Sequence, residues 1–358
     1  MNKIIFSGGF DPIHLGHINM ARLASKHFDA DVIFVPSPIS IWKEESAPIK
    51  DKVEMIKLSI QRYKRFSIDL FEVNSGKEHN YSIDTIRYFQ KKYPNDQLLY
   101  LIGGDQVNEF HRWKECLELS KIAKIIFMSR PNIEINGKNI KEFNMTMVPG
   151  RMVDISASDI RSFCSLKLDD KVIKYIEDNE LYYIKKIKSY LRPKRYDHSK
   201  AVANLAYEIA KKHHLRNSDL YYISGFLHDI GKDHDGREIM KKHYRKYLDM
   251  PNFSFHQFVG SYIAKTDFNI QNRSIIKAIS FHATGNAKMS RMGKVIYAAD
   301  KIDPNRDYDS KYMINAMMKN IDDGFKLVLS ENKKFLEESG KNINNRLTQS
   351  CFDYYLGE

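Results

Sequence analysis

Short apolar runs alternate with amphipathic stretches along the first half of the chain. The apolar runs predict β-strands at residues 3–7, 31–35, 66–73, 98–102 and 124–128. Stretches with a periodicity of about 3.6 residues predict helices at 17–28, 50–61 and 82–92. Strands that alternate with helices in this way predict βαβ units, and therefore an α/β domain built on a doubly wound parallel sheet.

The second half of the chain has a different pattern. Strand signals fade after about residue 188, and long helical patterns take their place at 199–213, 257–268, 273–281 and 311–336. The basic stretch at 184–195, which contains Pro193, is the natural place for a boundary. We therefore expect two domains, an α/β domain over residues 1–187 and an all-α domain over residues 188–358.

The composition is that of a globular protein, with 42% hydrophobic and 28% charged residues among 358. The chain contains no apolar run of 18 residues and no secretory signal pattern, so we expect a cytoplasmic protein with no membrane association. The three cysteines are scattered and never form a CxxC pair. This spacing argues against a disulfide framework and against a thiolate metal site.

The net charge of +12 has two interpretations. A basic chain can bind nucleic acid, or its charge can suit small anionic substrates on a generally lysine-rich surface. The lysines are spread along the chain, with one modest cluster at 185–195, and no RRM or KH motif is present. We therefore favour small anionic substrates over nucleic acid. The sequence leaves the oligomeric state open, including a homo-oligomer.

The string GGFDPIHLGH follows the first strand and opens a helix at residues 8–17. Gly8 and Gly9 let the backbone approach a ligand, and a helix start offers unpaired N–H groups to an anion. His14 and His17, three residues apart, can reach the same phosphate. The alternative is that both histidines are ordinary turn and helix residues, but the length of the string favours a phosphate site.

A second candidate element is the string ISASDIR at residues 155–161. Ser156 or Ser158 can cap the helix that starts there, and the guanidinium of Arg161 offers a planar pair of donors to phosphate. Taken alone, the string is only an N-capped helix. In the same domain as HxGH it completes a pair of phosphate-binding motifs.

Together the two strings resemble the Rossmann-like nucleotidyltransferase superfamily, whose motifs are HxGH and ISxTxxR; Ser158 stands where threonine is usual. Within it, residues 1–185 resemble bacterial nicotinate-nucleotide adenylyltransferases. The supporting strings are NYS at 80–82, LIGGD at 101–105, HRW at 111–113, SRP at 129–131 and NELY at 179–182. A departure is SIWK at 40–43, where the family has a string similar to PPHK and only Lys43 is retained.

The resemblance implies adenylyl transfer from ATP, as its Mg²⁺ complex, to nicotinate mononucleotide, giving deamido-NAD and pyrophosphate. It places His14 and His17 on the ATP phosphates, Ser158 and Arg161 on the β/γ side, and Lys43 in support. The backbone near Tyr81 and Ser82 would bind the pyridine carboxylate, and Trp113 would stack on the ring unless it is a core residue. Other residues expected to contact substrate are Gly8, Gly9, Phe10, Asp11, Gly103, Asp105, Arg130 and Ser156. Phosphopantetheine or nicotinamide mononucleotide remains an alternative acceptor.

The second half contains the string HDIGK at residues 228–232. Further metal-binding residue types recur at intervals of 18 to 30 residues on separate helical patterns, namely His198, His256, His282 and Asp300. Together with His228 and Asp229 they can converge inside a helical bundle. Imidazole and carboxylate ligands without thiolate suit Fe, Mn, Co or Zn better than Ca²⁺.

This pattern resembles the HD-domain phosphohydrolases over residues 188–358. More narrowly it is similar to the symmetrical bis(5′-nucleosyl)-tetraphosphatases, which split diadenosine tetraphosphate into two ADP; Ala283 and Asp303 replace a usual Thr and Glu. The narrower strings are RYDHS at 195–199, FHATG at 281–285 and AADKIDPNR at 298–306.

The resemblance implies metal-assisted hydrolysis at one or two transition metals, with Fe favoured. The metal set would be His198, His228, Asp229 and Asp300, with His256 and His282 for a second ion. Lys232 and Arg306 would neutralise polyphosphate charge. Alternatives are a nucleotide sensor without activity, or hydrolysis of guanosine tetraphosphate or a dNTP.

Overall fold

The computed structural model describes residues 1–38, 46–77, 80–129, 134–305, 308–340 and 345–357. The chain forms two compact units. Unit 1 comprises Met1–Arg161 and Lys167–Tyr182, and unit 2 comprises Ser162–Leu166 and Tyr183–Glu358. The expected functional domains, 1–187 and 188–358, remain a prediction.

Unit 1 is built on a six-stranded sheet in which every neighbouring pair is parallel and the order is β3-β2-β1-β4-β5-β6. Ile4 of β1 pairs with Val32 of β2, and Ile5 of β1 pairs with Tyr100 of β4. This order confirms the expected doubly wound α/β fold. The strands are β1 (Asn2–Gly8), β2 (Ala30–Pro36), β3 (Phe66–Ile68), β4 (Gln97–Gly103), β5 (Lys124–Met128) and β6 (Thr146–Met147).

The central strands are nearly continuous apolar runs because helices cover both faces of a parallel sheet. Ile4, Ile5 and Val32 are fully buried. The helices of unit 1 are α1 (Leu15–Phe28), α2 (Ile49–Ile60), α3 (Phe71–Asn74), α4 (Ser82–Lys92), α5 (Gly104–Glu109), α6 (Cys116–Ile122), α7 (Gly137–Glu142), α8 (Ala157–Arg161) and α9 (Asp170–Asp178).

The expected strand at residues 66–73 is wrong beyond Ile68. Asp69 accepts a hydrogen bond from the backbone N–H of Phe71 at 2.8 Å, and the chain turns there into the short helix α3. An aspartate that bonds to the backbone two residues on is a turn former. Strand β6 has only two residues, and its pattern is too short to predict.

Unit 2 is helical, which confirms the second expected fold class. Helices α11, α12, α15 and α16 pack against one another, and α18 packs on α16. Its helices are α10 (Tyr183–Tyr190), α11 (Pro193–Lys212), α12 (Asp219–Leu227), α13 (Arg237–His243), α14 (Phe255–Thr266), α15 (Arg273–Ser280), α16 (Arg291–Lys301), α17 (Lys311–Lys319), α18 (Ile321–Glu338) and α19 (Arg346–Leu356).

The expected continuous helix at 311–336 is in fact two helices. The side chain of Asn320 accepts hydrogen bonds from the N–H groups of Asp322 and Asp323 and so caps α18. A Cβ atom on Gly324 would lie 2.6 Å from the Cα of Met317, so the absent side chain lets the two helices pack closely. None of the helices among the described residues is both long and apolar enough to cross a membrane.

Candidate functional sites

The first site lies where the strand order of unit 1 reverses, between β1 and β4. The carboxyl ends of these strands are Gly8 and Gly103, which lead directly into GGFDPIHLGH and into α5. In open α/β sheets a crevice forms at the carboxyl ends of the two strands on either side of such a reversal. The fold therefore gives both sequence strings a position that is suited to ligand binding.

His14 and His17 form a stacked pair at the start of α1, with ring centroids 3.6 Å apart and planes inclined by 14°. Nδ1 of His14 accepts from the backbone N–H of His17, and Nδ1 of His17 accepts from that of His14, both at 3.3 Å. A Cβ atom on Gly16 would lie 2.9 Å from His14 Nδ1 and from Ile155 Cγ2. Glycine is therefore needed there to let the His14 ring and the ISASDIR string pack side by side.

Phe10 holds the turn between the strand and the histidines. Its φ of 41° is in the left-handed region, which a side chain of this size rarely adopts. Burial of its ring, 5.2 Å from Phe6 and 5.1 Å from His17 between centroids, stabilises this conformation. The ring also covers Gly8, whereas a Cβ atom on Gly9 would meet nothing within 4 Å, so the backbone at Gly9 is open to a ligand.

Helix α8 places Arg161 against the same loop. Arg161 is buried, and its Nη1 donates to the carbonyl oxygen of Asp11 at 2.6 Å. Of the two serines that could cap α8, Ser156 does so: its hydroxyl accepts from the N–H of Asp159 at 3.1 Å and donates to that carboxylate at 2.6 Å. Ser158 lies in the first turn of α8, one turn from Arg161.

The residues expected on the acceptor side lie around β4. Ser82, the first residue of α4, accepts a hydrogen bond from the Tyr100 hydroxyl at 2.9 Å. Trp113 is partly buried, and its ring packs 5.1 Å from Phe110, so part of it belongs to the core. Tyr81 is exposed, and the ammonium of Lys114 lies 4.2 Å from its ring centroid. Gly103 precedes α5, and a Cβ atom there would meet the exposed Asp105 carboxylate at 2.5 Å.

The second site is a row of six side chains in unit 2, here named the ligand row: His256, His282, Asp229, His228, Asp300 and His198. His256 Nε2 lies 3.1 Å from His282 Nε2, and His282 Nε2 lies 3.4 Å from Asp229 Oδ1. At the other end, Asp300 Oδ1 lies 3.5 Å from His228 Nε2 and 3.1 Å from His198 Nε2. Five helices or helix ends contribute to the row, as the spacing along the sequence suggests.

Two glycines bring these helices close enough to form the row. A Cβ atom on Gly225 of α12 would lie 2.7 Å from the Cα of Ala203 in α11, which carries His198. A Cβ atom on Gly231 of the HDIGK string would lie 2.4 Å from the backbone nitrogen of Gly260 in α14. Backbone-to-backbone packing at these points leaves no room for a side chain.

Three histidines of the row share one orientation. Nδ1 of His228 lies 2.6 Å from the Gly225 carbonyl oxygen, and Nδ1 of His256 and of His282 lies within 2.8 Å of the carbonyl oxygen three residues earlier. Donation from Nδ1 fixes the tautomer and leaves Nε2 as the lone-pair atom that faces the row. His228 Nε2 is buried and has no hydrogen-bond partner in the described part of the chain.

The electrostatics of the row suit a cation. Burial alone would raise the pKa of Asp229, but its interactions with His228, His256 and His282 hold it well below its usual range. The pKa of Asp300 is likewise held low against burial, chiefly by Lys301 and His198. Burial lowers the pKa of His282 to about 3. Two carboxylates that stay ionised, beside the imidazole of His282 that stays neutral, belong to the donor types that a divalent metal prefers.

His198 differs from the other histidines because two carboxylates contact it. Its Nδ1 lies 2.6 Å from Asp303 Oδ2, and its Nε2 faces Asp300. Burial alone would lower its pKa, but these hydrogen bonds raise it to about 9. A divalent ion bound between His198 and Asp300 would displace the proton from Nε2, while Asp303 kept the ring in place.

A cavity of about 1970 Å³ opens over the ligand row, and its wall includes His198, Asp229, His256 and Asp300. Lys232 also lines it, with Nζ 3.3 Å from His256 Nε2 and 3.7 Å from Asp229 Oδ1. Within the described residues, two sets of three side chains have donor atoms within 4.8 Å of one another: His198, His228 and Asp300, and His228, Asp229 and His282. The residues present therefore fit one or two metal ions.

Comparisons with known proteins agree with the two sites. Residues 5–163 match the family described as Cytidylyltransferase-like, and residues 195–305 match the HD domain. A protein of Mycoplasma genitalium named "Probable nicotinate-nucleotide adenylyltransferase/Ap4A hydrolase" is 30% identical over 309 residues, covering 85% of this chain and 87% of the relative. The chain belongs to the nicotinate-nucleotide adenylyltransferase/Ap4A hydrolase family.

Two further relatives differ in how much of this chain they cover. A Mycoplasma pneumoniae protein with the same name is 26% identical over 350 residues, covering 95% of this chain and 100% of the relative. An Aquifex aeolicus protein named "Probable nicotinate-nucleotide adenylyltransferase" is 37% identical over 168 residues, covering 44% of this chain and 99% of its own length. The relative that is named only as an adenylyltransferase thus matches less than half of this chain.

The sequence patterns assign no role to three residues of unit 1 that make buried hydrogen bonds near the first site, namely Tyr182, Ala47 and Glu72. Tyr182 donates to Asp11 Oδ1 at 2.7 Å, and the N–H of Ala47 donates to the same oxygen at 3.1 Å. Glu72 is buried and accepts from the hydroxyls of Ser7 and Thr85 at 2.7 and 2.8 Å. The strings NELY and GGFDPIHLGH contain Tyr182 and Asp11, but neither string indicates that the two side chains are hydrogen-bonded to each other.

Three expected site residues lie outside the described part of the chain, namely Lys43, Arg130 and Arg306. Their roles remain predictions from the resemblance alone.

Proposed function

We propose that unit 1 transfers the adenylyl group of ATP to nicotinate mononucleotide, with deamido-NAD and pyrophosphate as products. The observation that carries this proposal is the stacked pair of His14 and His17 at the reversal point of the sheet, beside the open backbone at Gly9. The name of the Mycoplasma genitalium relative supports the choice of acceptor.

The groups of unit 1 act through position and charge. The two hydrogen bonds between the backbone N–H of each histidine and Nδ1 of the other fix both imidazole planes before substrate arrives. Binding of the ATP phosphates therefore requires little further loss of side-chain conformational entropy. Arg161, held by the Asp11 carbonyl, adds a fixed positive charge next to the loop. Charge that develops on phosphorus oxygens in the transition state is stabilised most by donors that are already oriented. Mg²⁺ would enter with ATP, held mainly by phosphate oxygens and water.

For unit 2 the proposal is hydrolysis of diadenosine tetraphosphate to two ADP. It rests on the ligand row, on the cavity above it and on the Ap4A hydrolase part of the relative's name. Divalent metal ions, when bound by the six side chains, supply Lewis acidity toward phosphoryl oxygens. Lys232 and Lys301, each beside a carboxylate of the row, place positive charge where a polyphosphate would lie.

Product analysis tests both activities. Protein supplied with Mg²⁺ and a transition metal receives nicotinate mononucleotide plus ATP in one reaction, and diadenosine tetraphosphate in another. We expect deamido-NAD from the first and ADP alone from the second. His17→Ala should abolish only the first product, and His228→Ala only the second.

Other products would redirect the proposal. If nicotinate mononucleotide gives no product, but nicotinamide mononucleotide or phosphopantetheine supplied in its place does, the acceptor assigned to unit 1 is wrong. An intact tetraphosphate, or cleavage to ATP and AMP, would contradict the substrate assignment of unit 2 and leave only its metal site.

A further inference from the structure

We propose that the cavity of unit 2 binds its substrate by both bases, with Phe253 as an aromatic platform at one end of the ligand row and Tyr312 as a platform at the other. The inference rests on the proposed hydrolase function and specifies the substrate class as a nucleotide with two bases joined by a polyphosphate.

The size of the cavity is the first argument. Pockets for one drug-sized ligand measure about 300–1,000 Å³. The cavity over the ligand row measures about 1970 Å³, which exceeds what one mononucleotide needs. A substrate with two nucleosides uses such a volume, whereas a single nucleotide leaves much of it to water.

The exposed aromatic residues supply the second argument. Within the described part of unit 2, five aromatic side chains are markedly exposed: Phe253, Tyr308, Tyr312, Phe335 and Tyr354. All of these except Tyr354 line the cavity. Exposed rings concentrated around phosphate-binding chemistry, rather than scattered over the surface, are typical of a site that stacks bases.

The two platforms lie at different ends of the row. Phe253 is joined to His256, because its carbonyl oxygen receives the Nδ1–H of that histidine at 2.7 Å. Tyr312 is in the first turn of α17 and lies close to Tyr308. The neighbouring Tyr308 hydrogen-bonds the carbonyl oxygen of Lys301, next to Asp300. Phe253 therefore marks the His256 end, and Tyr312 marks the His198 end.

Between the platforms the cavity wall is charged. Lys232 lies beside Asp229, and Lys301 Nζ lies 2.8 Å from Asp300 Oδ2. Both lysines line the cavity, as Phe253 and Tyr312 do. A molecule with apolar rings at its ends and phosphates in its centre matches this arrangement.

Holding both bases also explains where the chain of phosphates would be cut. With one base at each end, the central P–O–P bridge lies over the row. One water adds across that bridge: its hydroxyl bonds to one phosphorus, the bridging oxygen leaves with the other phosphorus, and that oxygen takes the remaining proton. The products are two ADP, with no other reactant required.

Steady-state kinetics of the full chain with metal bound test the proposal. Phe253→Ala and Tyr312→Ala should each raise KM for diadenosine tetraphosphate about 5- to 150-fold, the range that corresponds to loss of one base–aromatic stack. Hydrolysis of inorganic tetraphosphate, which has no aromatic ring, should stay within about twofold. Phe253→Trp should restore the low KM, and Phe253→Leu should not, because leucine is apolar but cannot stack.

Tyr354→Ala is the matched control, since this tyrosine is exposed on the same unit but outside the cavity. Calorimetric titration with ADP gives a readout that does not depend on hydrolysis. Each platform variant should bind one ADP fewer per chain than the wild type. Any ADP that binds to unit 1 is the same in all the proteins and does not affect this difference.

The outcomes separate the two levels of the argument. If the wild type does not hydrolyse diadenosine tetraphosphate, the proposed function fails, and the ADP titration still decides on the platforms. If KM and ADP stoichiometry are unchanged in both variants, or if hydrolysis of inorganic tetraphosphate falls equally, the platform proposal is wrong.

Discussion

Removing the hydroxyl of Tyr182 deletes one oxygen atom, but it should lower both the stability and the adenylyl-transfer rate of unit 1. The hydroxyl donates to Asp11 Oδ1 at 2.7 Å, and the other oxygen of that carboxylate, Oδ2, is buried without a hydrogen-bond partner among the residues that the structure describes. In Tyr182→Phe the N–H of Ala47 is the one donor that the described residues still offer to the buried carboxylate. Burial and the nearby charge of Asp11 raise the pKa of Tyr182 above its usual value, so the hydroxyl stays protonated at ordinary pH.

The magnitude follows from the charge of the acceptor. A hydrogen bond to a charged group contributes about 1.5–3 kcal/mol, so we expect unit 1 to lose stability in that range. Because Asp11 belongs to the loop that also binds Arg161, its displacement should shift the loop relative to the histidines. A misplacement of about 1 Å can cost about a hundredfold in rate, so kcat/KM for adenylyl transfer should fall about ten- to a hundredfold.

Tyr175→Phe is the matched control for this experiment. Tyr175 donates to a carboxylate oxygen of the buried Asp51 at 2.8 Å, within the same unit but outside the GGFDPIHLGH string. Both tryptophans of the chain fall within the sequence of unit 1, so tryptophan fluorescence during urea unfolding reports on that unit. Equal losses of adenylyl transfer in the two variants, or a loss of stability without a loss of rate in Tyr182→Phe, would refute the positioning argument.

Three further predictions concern Gly16, Glu72 and His228. Gly16→Ala should lower the rate of adenylyl transfer about a hundredfold, because its Cβ atom would lie 2.9 Å from His14 Nδ1. Gly137→Ala is the control, since a Cβ atom there would meet nothing within 4 Å, and it should change the rate less than twofold. Burial raises the pKa of Glu72 against hydrogen bonds from Ser7 and Thr85, so its contribution to stability is full below the unfolded value of about 4.3 and is lost as pH rises through the folded value. The free energy of unfolding of Glu72→Gln should therefore increase by about 1 kcal/mol relative to that of the wild type as pH rises from 4 to 8. Urea unfolding midpoints that change equally with pH in the two proteins would contradict this expectation. His228→Ala should bind less divalent metal per chain by elemental analysis, and the added metal should raise its thermal midpoint by several degrees less than that of the wild type. Equal metal content in the two proteins would exclude His228 as a ligand.

Local patterns were sufficient for several of the longer helices and for the sequence strings of both sites. The limits expected for α4 are those observed, and those of α1 and α2 differ by at most two residues, because amphipathic periodicity and end signals act over one or two turns. The six residues of the ligand row were identified from residue type and interval, since few sequences repeat His and Asp on successive helical patterns by chance.

Failures occurred where a polar side chain overrode an apolar pattern. Residues 69–73 are apolar enough for a strand, yet Asp69 turns the chain and Glu72 is buried among hydroxyl groups. Residues 311–336 are helical throughout in periodicity, yet the side chain of Asn320 caps a new helix. In both cases the hydrogen bonds of one side chain decide the backbone, and propensity averaged over a window does not detect them.

The sequence by itself determined which chemical groups this protein carries and which elements present them. Only the tertiary structure decided which groups meet. Tyr182 reaches Asp11 across 171 residues of chain, and His198 reaches Asp303 across 105. Phe253 and Tyr312 line one cavity although no motif joins them. Such contacts depend on how helices and strands pack, through close approaches at Gly225 and Gly231, and packing is set by the whole core rather than by neighbours in the sequence.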